Sequence, residues 1–235
     1  MASHANLDTP GTARADLVAE ANHRIANHLG SLVALLRTQA ASTRDGPEMF
    51  SRDEVVALLN DAAGKILAVS RLHHRLAALP ARGLIDLNEM LRDLLEAFEE
   101  SGVFGARLHW HSTFGAGCQL RAAHASAIAL AFAEILANAQ KYAHPSGLPV
   151  ELRITTTAAT PGEGVVLEIA DDGVGLPEGF VEARDAGVGL RLVRSLVEST
   201  GSTLDLHSDA LGLTFTIRLP PLLGLVPTEP MPLSA

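Results

Sequence analysis

The sequence predicts an α + α/β chain, in which an antiparallel helical hairpin precedes a domain of mixed strands and helices. Three observations predict it. Two long segments with helical apolar periodicity stand in succession, separated by a short polar loop. A break with Pro80 and Gly83 at its ends follows them. Beyond it, strand-like and helix-like segments intermingle.

The hairpin comes first. Within residues 13–43, Val18, Ile25, Leu29, Leu32 and Leu36 fall in one narrow stripe of a helix. Gly46 and Pro47 interrupt the pattern. Ser51 then offers an N-cap with Glu54 three positions on, the spacing of a capping box. A second helix is expected to about residue 79, carrying Leu58, Leu59, Ala62, Ile66, Val69, Leu72 and Leu76. Two such helices bury only one stripe each. A second copy of the chain would complete a four-helix bundle, so a homodimer is expected.

The second half reads as a helix over 87–99, capped by Asp86 with Glu89 three positions on, and a strand over 106–113. A long apolar helix follows over 122–142. Strands are expected at 150–156 and 165–170, a helix at 188–199, and paired strands at 203–208 and 214–219. This predicts one sheet with helices on one face. The domains are accordingly placed at 13–82 and 84–220. Residues 1–12 and 221–235 read as flexible arms, the second rich in proline.

Composition narrows the function. The 235 residues are 47% hydrophobic, with a net charge of −9, so no overall field draws the chain to nucleic acid. Cys118 is the single cysteine, which excludes an intrachain disulfide framework and a thiolate metal cluster. The start holds no secretory apolar core, and uninterrupted apolar runs stay below the ~18 residues of a membrane span. A cytoplasmic chain without membrane insertion is expected.

One histidine stands out. In EANHRIANHL, His23 lies roughly 140° from the centre of the apolar stripe and points to solvent. Asn27 follows one turn later on the same face, and Glu20 precedes by one turn. A neutral imidazole is a good nucleophile near neutral pH, and Glu20 can take its proton or orient the ring. A plain solvated histidine has the same pattern.

Three further segments carry complementary chemistry. In EILANAQKYA, Glu134 and Asn138 are four apart and share a helical face. Polar groups in an apolar run need partners, and a carboxylate with an amide can hold Mg²⁺ beside phosphate oxygens. In ADDGVGLP, Asp171 can accept from an exocyclic amine such as that of adenine, while Gly173 and Gly175 permit a tight turn. In GVGLRLV, Gly187 and Gly189 open a helix whose amides suit phosphate. Taken singly, these are a core amide, a strand-end turn and a helix entry. Taken together, they describe a nucleotide site.

These motifs resemble those of two-component sensor histidine kinases of the HWE and HisKA_2 type, over about residues 17–220. EANHRIANHLGSL resembles the phosphoacceptor box, which implies His23 as the phosphorylated residue, followed by Arg24 and Asn27. ILANAQKYA resembles the N box, implying Mg²⁺ and phosphate roles for Glu134 and Asn138, and lid-side and base-side roles for Lys141 and Tyr142. DDGVGLP and GVGLRLV resemble the G1 and G2 boxes, and Thr214 falls where the last strand often carries a threonine near the base. The resemblance implies a dimeric hairpin followed by a Bergerat-type α/β sandwich ATPase domain that uses ATP and Mg²⁺. The product would be phosphohistidine, and the acceptor an aspartate of a response-regulator receiver domain. Ala26 departs from the lysine usual in the box, and the stretch between Gly175 and Gly187 implies a small lid. The arm before the hairpin is too short for a sensor domain, so input is expected from a separate sensor protein. Two alternatives stay open: a histidine phosphotransferase that relays phosphate without ATP, and an ATP-binding partner-holding protein of the anti-sigma type.

Overall fold

The computed structural model describes residues 51–76, 83–104, 107–144, 148–158 and 164–222, together with Gly30, Val33, Leu36, Arg37 and Ala40, which are helical. The segment expected to be a phosphoacceptor box, with Glu20, His23, Arg24 and Asn27, lies outside the described residues, as do both terminal arms.

Helix α1 spans Arg52–Leu76. Its capping box forms reciprocally: the Ser51 amide donates to Glu54 Oε2 at 2.8 Å, and the Glu54 amide donates to Ser51 Oγ at 3.2 Å. The apolar stripe expected on this helix divides. Leu59 and Ile66 are exposed, whereas Ala68, Val69 and Leu72 are buried against the α/β domain. One part of the helix therefore stays open to solvent while another docks on the α/β domain.

Strand β1, Leu84–Asp86, leads directly into helix α2, Leu87–Ser101. Asp86 caps α2 by accepting the Glu89 amide at 3.0 Å. Strand β2 covers Leu108–Phe114, and β3, Gln119–Arg121, pairs antiparallel with β1. That two-stranded sheet was absent from the sequence reading, because three residues are too few to display an alternation.

A 3₁₀ turn at Ala122–His124 opens helix α3, Ala125–Tyr142. Buried residues lie all round its middle turns, as an apolar helix inside a domain requires. By length and composition, Ala122–Tyr142 is the one stretch among the described residues that passes as a membrane span; its burial in the core accounts for its apolarity. Strands β4, Val150–Ala158, and β5, Val165–Asp171, come next. They are followed by the single-turn α4, Glu182–Asp185, and by α5, Val188–Glu198. A hairpin of β6, Thr203–Asp209, and β7, Gly212–Leu219, completes the sheet.

The main sheet runs β2-β4-β5-β7-β6, with β2 and β4 parallel and every other pair antiparallel. Leu152, Ile154, Leu167, Ile169, Phe215 and Ile217 form its inner face and join a single core with α2 and α3. A parallel neighbour needs a crossover, and the chain between β2 and β4 supplies it through α3.

Candidate nucleotide site

Asp171 ends β5 on the inner face, in step with Leu167 and Ile169. Its Oδ1 accepts the amides of Gly173 at 2.9 Å and Leu213 at 3.1 Å. Burial pushes its carboxyl up, and those two hydrogen bonds oppose the rise. Neither amide reaches Oδ2, which leaves one carboxylate oxygen to read a ligand.

The loop after Asp171 is fastened at both ends. Val174 donates its amide to the Ala143 carbonyl at 2.9 Å, joining the loop to the end of α3. Gly173 packs against Ala143. Gly175 takes φ +68°, a left-handed conformation that favours glycine, and the next amide, of Leu176, donates to Ser208 Oγ at 2.7 Å. Asp172 accepts from Glu151 N at 2.9 Å and lies 3.1 Å from His144 Nε2.

The stretch between Gly175 and Gly187, expected to form a small lid, contains α4. Arg194 forms a two-pronged ion pair with Glu182, and Arg191 donates to the Ala186 carbonyl. Gly187 occupies the N-cap position of α5, and no side chain caps the amides behind it. That end of the helix therefore presents donors and the positive pole of its dipole.

Gly189, in the first turn of α5, lies directly against Glu134 and Asn138 of α3. A β-carbon there would overlap Glu134 Oε1 and would stand 3.1 Å from Asn138 Oδ1. The three motif segments thus converge through α3, which carries Glu134 and Asn138 along one face and Ala143 at its end.

Glu134 has a partner that the sequence did not suggest. Lys65 of α1 places Nζ 2.6 Å from Glu134 Oε2 and 2.8 Å from Asp61 Oδ2. Lys65 and Glu134 are only 5% and 6% exposed. Burial works to lower the Lys65 pKa, but the pull of Glu134 and Asp61 wins and holds the ammonium charged. Burial raises the Glu134 carboxyl against the attraction of Lys65. The available clue was the i,i+4 pair Asp61 and Lys65 on a helix with an apolar stripe.

Not every expected site residue joins the cluster. Lys141 and Tyr142 are exposed, with Lys141 Nζ 5.0 Å from the Tyr142 ring centre. Thr214 requires a correction. It pairs in register with Ala170, so it faces the outer side of the sheet, opposite to the Asp171 side chain. The group beside Asp171 is the amide of Leu213, one residue earlier. For a divalent cation, Asn138 Oδ1 fits as a ligand, whereas Glu134 is engaged by Lys65. Among the described residues, no group of three or more His, Cys, Asp or Glu side chains is arranged to hold a metal. An Mg²⁺ site here fits only one shared with ligand phosphates.

Both halves of the chain match known protein families. Residues 20–101 match the HisKA_2 histidine kinase family. Residues 123–223 match the HATPase_c family, described as histidine kinase-, DNA gyrase B- and HSP90-like ATPase. The chain is 27% identical over 223 residues to blue-light-activated histidine kinase 2 of Erythrobacter litoralis, covering 86% of this chain and 56% of that protein. It is 25% identical over 182 residues to the sensor histidine kinase PdtaS of Mycobacterium tuberculosis, covering 77% of this chain and 34% of that protein. The chain thus spans about a third to a half of the length of these relatives. In fold, it resembles the histidine kinase domain of the Erythrobacter litoralis EL346 blue-light activated histidine kinase, with a TM-score of 0.62 and 23% identity, over 87% of this chain and 91% of that one. The α/β domain has the Bergerat-type ATPase fold. With both halves matched in the same order, the chain belongs to the HisKA_2/HATPase_c histidine kinase family.

Proposed function

We propose that the chain is an ATP-dependent protein histidine kinase that phosphorylates itself on His23 and passes the phosphoryl group to an aspartate of a response-regulator receiver domain. One observation carries this reading: Asp171, the uncapped start of α5 and Asn138 meet around α3 with the chemistry of a base reader, a phosphate cradle and a cation ligand. On this reading, residues 84–220 bind nucleotide, and residues 13–82 form the phosphoacceptor hairpin of a homodimer in the cytoplasm.

The division of labour follows from the side chains. Asp171 accepts a hydrogen bond from the adenine amine. The first amides of α5 hold phosphate oxygens. Asn138 contributes an oxygen to Mg²⁺, which when bound offsets phosphate charge. A ring nitrogen of His23 forms the bond to the γ-phosphorus as the bridging bond to ADP breaks, and Glu20 receives the ring proton. Asn27 and Arg24 orient the acceptor and the phosphates.

The test uses γ-labelled ATP with Mg²⁺ on the wild type, His23→Ala and Asn138→Ala. Acid-labile, base-stable label on the wild type alone is the expected result. Absence of label on a folded wild type would overturn autonomous kinase activity. Label then acquired from a phosphorylated receiver would establish a phosphate relay instead.

A further inference from the structure

The buried cluster of Asp61, Lys65 and Glu134 joins two parts of the chain with different tasks. Asp61 and Lys65 belong to the second hairpin helix, and Glu134 belongs to the central helix of the nucleotide domain. We infer that Lys65 is a latch that holds the nucleotide domain docked on α1 and keeps Glu134 across the start of α5, so that nucleotide binding and the latched state compete. This rests on the ATP reading above for its ligand, though not for the docking itself.

The geometry supplies the competition. Glu134 directs Oε1 at Gly189, where α5 presents its open amides, and Oε2 at Lys65. Phosphates seated on those amides meet a carboxylate already there. The Glu134 carboxylate also repels a polyphosphate brought to the same amides. Moving Glu134 aside to admit the ligand breaks its bond to Lys65.

Beyond the latch, α1 meets the domain through an apolar contact along its C-terminal half. Residues 51–57 are exposed along their whole length. Ala68 and Leu72 join the main core with Leu67 beside them, and Val69 packs in a small cluster with Leu130. The other ion pair, Arg71 with Glu100, is largely exposed and therefore weak. Lys65 stands at the end of this contact nearest the nucleotide site. Removing a buried charged partner strands the other, so its loss is expected to free the helix rather than merely loosen a side chain.

The test measures distance and affinity on the whole chain. Spin labels go on Ala63→Cys and Thr203→Cys, both exposed positions, in a Cys118→Ala background with excess unlabelled chain. Without nucleotide, the wild type is expected to give one narrow distance distribution, and Lys65→Met a broad one. Lys65→Arg, which keeps the charge, is expected to restore the narrow distribution, and Asp61→Asn to broaden it partially. A non-hydrolysable ATP analogue with Mg²⁺ should broaden the wild type. Lys65→Met should bind the analogue about tenfold more tightly if the docked form holds about nine-tenths of the population. An unchanged narrow distribution in Lys65→Met would overturn the latch. Weaker analogue binding in that variant would overturn it as well, by making Lys65 a phosphate-side cation. No analogue binding in any variant would overturn the ATP reading, and the nucleotide-free distances would still decide whether Lys65 holds the helices together.

Discussion

Gly189 approaches Glu134 so closely that a β-carbon at position 189 would overlap the Glu134 Oε1 atom. With no side chain at this position, the start of α5 lies against Glu134 without displacing its carboxylate. Gly189→Ala must therefore either swing Glu134 away from Lys65 or push the first turn of α5 outward. Overpacking of this kind costs about 1–3 kcal/mol. The expected outcome is a lower unfolding free energy in denaturant, whereas Gly187→Ala, where a β-carbon meets open space, should stay within about 1 kcal/mol of the wild type.

Asp171 separates folding from recognition. Its Oδ1 serves two backbone amides, and an asparagine oxygen can serve them equally. Burial raises the Asp171 pKa above the ordinary aspartate value of 3.8. A raised acid contributes stability below its unfolded pKa and loses it as pH rises through the folded one. At neutral pH the ionised group thus weighs against the unliganded fold. Asp171→Asn is expected to keep or raise the melting temperature while weakening adenine nucleotide binding about 10- to 100-fold, the worth of a hydrogen bond to a charged group. Calorimetry on both properties checks it, and a large loss of stability with intact binding would contradict it.

The parts legible in the sequence were those with a local signature. The capping pairs Ser51 with Glu54 and Asp86 with Glu89 form as their spacing indicates. The long helix over 122–142 and the hairpin closing at Asp209 and Gly212 lie where periodicity and turn residues place them. Gly189 lies against Asn138, and the loop after Asp171 is bonded to the end of the same helix, so the three segments with distinct chemistry are neighbours. What stayed hidden depends on long-range register or packing. Thr214 faces outward because β7 presents Phe215 to the core. Lys65 is invisible as a partner of Glu134, since 69 positions of chain separate them and a lysine on a helix ordinarily reads as solvated.

An ion pair and a hydrogen bond fasten the lid to α5, Arg194 with Glu182 and Arg191 to the Ala186 carbonyl. Glu182 is the contact by which α4 is held to α5 through Arg194. The pair is about one-third exposed, so it is worth no more than about 1 kcal/mol. That is a small fraction of global stability but a large one for a single turn of helix. Glu182→Gln is expected to leave the melting temperature nearly unchanged while raising the rate of limited proteolysis within residues 178–186 about fivefold. Proteolysis at the wild-type rate would show that the lid is held by other contacts.

The capping box of α1 ties helix stability to pH. Hydrogen bonds from Ser51, first through its backbone amide and then its side chain, lower the Glu54 pKa from the ordinary 4.5. A depressed acid contributes stability above its unfolded pKa and loses it as pH falls through the folded one. The helical content of α1 should therefore decline as the pH drops below about 4.5, in step with protonation of Glu54. Glu54→Gln should remove that pH dependence while preserving an acceptor for the Ser51 amide. Ser51→Ala should cost about 1 kcal/mol at neutral pH, because the Glu54 amide loses its acceptor. Hydrogen exchange of the first turn of α1, measured between pH 3.5 and 7, reads both effects; an acid response that persists in Glu54→Gln would assign it to a different carboxylate.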